Sequence, residues 1–362
     1  MGDRFWVGDG GSVSSIVHWS ATDGGAGGES VPGNTDDVFF TANSFSISGQ
    51  TVSGDLTCKS VDWTGVTDAP YFNGNITTKG DVMFISDMTT NPTKYIYWDN
   101  IPALATVNFT APDKTFSQLT VNTISSGVVF NILSDITVTG IIEFDCNTGG
   151  AIYTNDYTIN CGNVSRGSNY PTLYLGSSVI NADGWGWTSN VNAGTSKIIL
   201  NSYDSSFSVG AYPNTYYDLE IVGDNTCDII CYDTSFNSVK VVGSNSKETV
   251  LTLSGFTCDD IQMYGNLSYN LLIKNYLGAT TYKITTMQDI ELTYCDITYM
   301  EKVGTGSITA YSSIDSGNNI DVDIFTTPKP GFNIFLGESQ IINIYKGTEE
   351  ITSAYLGTST LK

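Results

Sequence analysis

Tyr216-Tyr217-Asp218-Leu219-Glu220-Ile221-Val222-Gly223, Phe236-Asn237-Ser238-Val239-Lys240-Val241-Val242-Gly243 and Cys258-Asp259-Asp260-Ile261-Gln262-Met263-Tyr264-Gly265 repeat one pattern. Each reads apolar, x, small polar or acidic, aliphatic, x, apolar, with glycine two residues later. The aliphatic and the next apolar residue stand two apart, which puts both on one face of a strand while Glu220, Lys240 or Gln262 faces water. The closing glycine supports a sharp bend at the strand end.

The pattern spreads in both directions. Upstream it appears as Cys58-Lys-Ser-Val61-Asp-Trp63-Thr-Gly65 and Phe116-Ser-Gln-Leu119-Thr-Val121; downstream, looser copies are Met287-Gln-Asp-Ile290-Glu-Leu292 and Tyr311-Ser-Ser-Ile314. The aliphatic positions step by 20 residues from Leu219 to Val239, 22 to Ile261, 29 to Ile290 and 24 to Ile314. A short strand with one apolar face is not stable alone, so successive coils must stack and bury a common apolar column. The expected fold is all-β: a parallel β-helix of stacked rungs with a small C-terminal β element. Tandem β-sandwiches are the alternative, and the irregular links at 64–80 and 181–195 suit the β-helix better.

Composition agrees. Ser, Thr, Asn, Gly and Asp abound, while Lys and Arg total 15, so surface helix formers are scarce and helices should be few and short. A net charge of -22 argues against nucleic acid or an anionic membrane as partner. Seven cysteines with no leader fit a reducing compartment. Cys227 and Cys231 lack companion zinc ligands, the single histidine being His18, so the cysteines read as small core residues. Met1 to Arg4 run straight into Phe5 and Trp6 with no basic-then-apolar signal.

Three regions follow: residues 1–50, a Trp- and Gly-rich capping unit; 51–326, the rung body; and 327–362, a hinge at Thr327-Pro328-Lys329-Pro330-Gly331 followed by a tail. In the tail, Tyr345 maps on Tyr355 and Gly347 on Gly357 with a period of ten, each copy reading as strand, Gly-Thr turn, strand. Units this small need a neighbour, so Tyr345, Gly347, Tyr355 and Gly357 are expected to dock on the body or on another chain. At the other end Trp6 and Trp19 read as a plug over the open end of the stack, and His18, flanked by Val17 and Trp19, as a hydrogen-bonded cap residue.

Two resemblances point to a class. The Tyr-x-Gly-Thr tail resembles the terminal repeats of many phage tail and minor structural proteins. The opening segment, with Arg4-Phe5-Trp6-Val7-Gly8, His18-Trp19-Ser20, Val31-Pro32-Gly33 and Asp36-Asp37-Val38-Phe39-Phe40, is similar to that of β-helical surface proteins, phage-encoded and bacterial passenger-type. There it caps the first coil. The resemblance implies a bacteriophage virion protein: a tail fibre, spike or head- or tail-decorating module made in the host cytoplasm without a signal peptide. Its implied partners are other virion proteins, further copies of itself in a trimer, and a host-surface glycan. A polysaccharide-degrading tailspike and a bacterial surface adhesin are the alternatives.

Chemistry is sparse in the sequence. A Ser-His-Asp arrangement would have to use His18, and no Gly-x-Ser-x-Gly elbow is present. Carboxylates that could flank a glycosidic bond are Asp259 with Asp260, Asp204, and Asp321 with Asp323. Asp315, Asn318, Asp321 and Asp323 offer oxygen atoms without the spacing of a calcium loop. No catalytic residue, metal or cofactor is therefore assigned. Trp185 and Trp187, in Asp183-Gly184-Trp185-Gly186-Trp187, are the candidates for sugar stacking or a partner contact, with burial in the body or in a neighbouring subunit as the favoured reading.

Overall fold

The computed structural model describes residues 2–329 apart from 124, 147–148, 167–170, 188–189, 203, 210–213, 223–225, 232–233, 245 and 276–281; beyond 330 it describes strand residues 345–346, 349–350, 354–356 and 359–361. The chain winds into a β-solenoid of stacked parallel strands. Its helical content among the described residues is one 3₁₀ turn, Ile16–His18.

Three walls of strands run along the stack. The first begins at Asp3–Trp6 and passes through Asp37–Phe39, Ser60–Asp62, Val82–Met83 and Thr106–Thr110, each parallel to the one before. The second begins at Gly11–Ser12 and continues through Thr51–Ser53, Tyr71–Asn73 and Thr89–Thr90. The third passes through Leu56–Thr57, Ile76–Thr78, Tyr95–Asp99 and Gln118–Thr123. Further along, strands such as Thr215–Val222 turn a corner and serve two walls at once. Parallel pairing links Asp3–Trp6 through Asp37–Phe39 to Ser60–Asp62, so strands on both sides of position 50 belong to one sheet. Strands also occupy the expected links at 64–80 and 181–195, namely Tyr71–Asn73, Ile76–Thr78, Val179–Gly186 and Val191–Asn192.

Alternation explains the walls. Along Thr106–Thr110, Val107 and Phe109 are buried while Asn108 faces outward. Inward residues merge into one core running from Trp6 to Ala310. Burying a side chain such as Val, Leu, Ile or Phe stabilises by roughly 1.5–3 kcal/mol, which the coil gains only when the next coil covers it. Outward residues form ladders at the coil spacing: the Asn131 amide donates to Asn108 Oδ1 at 3.0 Å, and that of Asn181 to Asn160 Oδ1 at 2.8 Å.

The repeat pattern marks corners. Tyr216 pairs with Phe236 and Asp218 with Ser238, leaving Tyr217 and Asn237 between them outside the paired register. An inward residue followed by another three positions on is impossible on a straight strand, and the corner supplies the extra half period. Cys58 to Val61 and Phe116 to Leu119 turn two other corners in the same way. Register follows the predicted steps from Leu219 to Val239 and Ile261, and onward through Met263 opposite Leu292. The last step differs: Ile290 pairs with Ile308, while Ile314 lies on another wall opposite Asp296 and is 46% exposed.

Candidate functional site

At the N-terminal end, the strand Trp19–Ser20 runs antiparallel against Asp3–Trp6, covering the edge that the first coil would otherwise leave open. Trp6 and Trp19 are fully buried and meet edge to face at 5.0 Å, and the His18 ring stacks on Trp6 at 4.6 Å. The Trp6 indole donates to the Asp9 carbonyl at 2.6 Å and that of Trp19 to the Val13 carbonyl at 2.7 Å. His18 Nδ1 lies 3.0 Å from the Val7 carbonyl oxygen. The structure therefore gathers the three predicted cap residues in one cluster, with their ring nitrogens turned to backbone.

Trp185 and Trp187 are placed differently from the loop expected of them. Trp185 belongs to the strand Val179–Gly186, and the two indoles are 2% and 0% exposed. Their spacing of two puts both on the inward face. Trp185 Nε1 donates to Tyr216 Oη at 3.3 Å, and Trp187 meets Phe144 at 6.0 Å. Neither ring is available to a sugar or a partner.

The carboxylate candidates do not converge. Asp259 points from the corner between the first and second walls, whereas Asp260 lies on the second wall and accepts from Gln262 at 3.0 Å. Asp321 and Asp323 are exposed beside half-buried Val322 and Ile324. The Asp204 side chain lies outside the described residues. Asp315 accepts from the Gly317 amide at 2.8 Å and from Asn319, holding a turn. Among the described residues no group of three His, Cys, Asp or Glu side chains could hold a metal. Cys58, Cys161, Cys231, Cys258 and Cys295 are free thiols pushed up to about 12 by burial.

Tyr345 and Tyr355 sit on two antiparallel strand pairs, opposite Glu350 and Thr360. Gly347, Gly357 and the tail side chains lie outside the described residues, and with them the docking role.

One open groove stands out on the solenoid's flank. It measures about 650 Å³, within the usual range of small-ligand sites, and spans successive coils on the first wall. Asn192, Thr215, Ser235 and Thr257 are its outward wall residues, and Tyr217, Asn237 and Asp259 stack along its corner. Of these, only Asp259 had been singled out in the sequence. Tyr217, Asn237 and Asp259 occupy the position just after the first apolar residue in three successive copies of the pattern. Among the described residues no Lys or Arg lines the groove.

A second surface feature runs along the corner between the second and third walls. Val222 pairs with Val242, Val242 with Tyr264, Tyr264 with Thr293 and Thr293 with Tyr311, and the Tyr311 ring stacks on Phe325 at 5.6 Å. Val222 and Phe325 are 44% and 46% exposed, so this is an outward stripe of apolar character.

The fold is a β-solenoid with outward polar ladders. No family model, curated protein or solved structure matches the chain.

Proposed function

We propose that this chain is a structural component of a bacteriophage virion, exposed as a fibre, spike or decoration module. The observation that carries the reading is the parallel register linking the coils from Asp3 to Ile324 around one core. Such a stack is stiff along its axis because each coil is bonded to both neighbours. Its outward ladders of Asn, Thr and Ser keep it soluble, and its N-terminal edge is closed against strand addition. The opening and terminal motifs supply the link to virion proteins.

Copies of the chain associate, in a trimer, along the stripe from Val222 to Phe325. A stripe repeating at strand spacing is matched by the same stripe on a second copy. Beside it Glu220 accepts from Lys197 and Lys240, a ladder of both signs that tolerates an identical neighbour. Light scattering on the purified chain checks this: a trimer that Val222→Asp with Phe325→Asp reduces to a monomer supports it, and a monomeric wild-type chain at micromolar concentration overturns it.

For the virion assignment, quantitative mass spectrometry of purified particles is the test. The chain is expected in multiple copies per particle, and its absence from particles that carry its gene overturns the reading.

A further inference from the structure

We infer that the groove lined by Tyr217, Asn237 and Asp259 binds a neutral oligosaccharide and rejects anionic ones. The inference deepens the proposal of a surface-exposed virion module, since it names the chemistry that the exposed face would meet.

Shape comes first. The floor is made by the outward, short side chains Thr215, Ser235 and Thr257 on three successive coils, with Asn192 at one end. Small residues here keep the channel open along the stack axis. Tyr217 is 37% exposed at the corner, so its ring offers a flat apolar face beside the floor. Asn237 and Asp259 follow at the same corner position, one coil apart each.

Chemistry selects the ligand class. The described lining combines hydroxyls, amides and one carboxylate, all able to exchange hydrogen bonds with vicinal hydroxyl groups. Asn237 is braced: its Nδ2 donates to Asp218 Oδ1 at 3.0 Å, which orients its carbonyl oxygen. An extended, polyhydroxylated chain with apolar ring faces satisfies both the ring of Tyr217 and the polar corner. A phosphate, sulfate or uronate group would meet Asp259 with no Lys or Arg among the described lining residues to offset the repulsion, on a chain of net charge -22. Cleavage of a glycosidic bond requires a second carboxylate roughly 5–10 Å from the first. Asp259 is the one acid among the described lining residues, so the groove as described holds its ligand without cutting it.

Saturation-transfer NMR and calorimetry on the full chain test this, with neutral hexose and 6-deoxyhexose oligosaccharides of two to six units set against uronic-acid oligosaccharides of the same lengths. Binding of at least one neutral series is expected, with none of the acidic series. Tyr217→Ala should weaken it roughly fivefold or more, as loss of an aromatic contact does. Tyr153→Ala, on the same wall but outside the groove, should leave it unchanged. Asp259→Asn keeps the hydrogen-bonding geometry, so neutral binding should persist while acidic oligosaccharides gain affinity. No binding across the neutral panel, preference for the acidic one, or equal loss from Tyr217→Ala and Tyr153→Ala overturns the inference. Because the assay uses the isolated chain, such a failure leaves the virion assignment untouched, and absence from particles would leave a demonstrated glycan site standing.

Discussion

Ile290 is the strand partner of Ile308, which is 1% exposed, and the two continue the inward column that runs through Ile198 and Leu219. Ile314, six positions further on, belongs to a different wall. Ile308→Ala should therefore cost about 2–5 kcal/mol of unfolding free energy, as deletion of a buried aliphatic side chain does. Ile314→Ala, at a position 46% exposed, should change it by less than about 0.5 kcal/mol. Chemical denaturation of the two variants reads the difference, and equal losses would show that the register is misplaced.

Gly194 stacks on Gly176 at one corner, both with φ of +58°. A Cβ at Gly194 would sit 2.2 Å from the Gly176 carbonyl oxygen, against backbone that cannot swing away. Gly49, with φ of +76°, has open space around it. Gly49→Ala should cost about 1–2 kcal/mol, the left-handed penalty alone. Gly194→Ala should cost clearly more, read as a lower thermal midpoint under identical conditions.

The buried thiols give a chemical test of the core. Cys58, Cys161, Cys231, Cys258 and Cys295 are held near 12 by burial, so the reactive thiolate is scarce at pH 8. Ellman's reagent should leave these five unlabelled in the folded chain and label all seven cysteines in denaturant. Rapid labelling of any of the five in native buffer would contradict the packing.

Acid should loosen the joints between coils. Hydrogen bonds from Ser46 to Asp9, from Ser177 to Asp156 and from Ser307 to Asp289 hold these carboxyls below the usual range, and bonds from Lys197 and Lys240 do the same for Glu220. A depressed folded value means the unfolded chain takes up protons first. The stabilisation is thus complete above the ordinary carboxylate value of about 4 and is lost as pH falls through the lower folded values. Unfolding midpoints should hold from pH 7 down to about 5 and drop below about 4. A midpoint that rises on acidification through that window would contradict the assignment.

Much of the fold was legible because the stack repeats its demands. Each coil needs inward residues two apart and a corner between walls, so Leu219 with Ile221 and Val239 with Val241 announced themselves. Legibility failed where one coil differs from the next. Met287 occupies the first apolar position of its copy yet is 62% exposed, and Tyr311-Ser-Ser-Ile314 mimics the pattern while Ile308 holds the column. Trp185 and Trp187 were obscured by their glycines, which suggested a loop, although their spacing of two already marked a strand. Clustering of Trp6, Trp19 and His18 could be foreseen because an open stack requires covering. The groove could not, since Asn192, Tyr217, Asn237 and Asp259 meet only through the register of separate coils.

Immunogold electron microscopy of intact purified particles addresses the central claim most directly. With antibodies to an epitope tag inserted in the exposed turn at Leu267, which is 84% exposed, the account predicts label on projecting features of unbroken particles. Label that appears only after particles are disrupted, or none on particles at all, would contradict it.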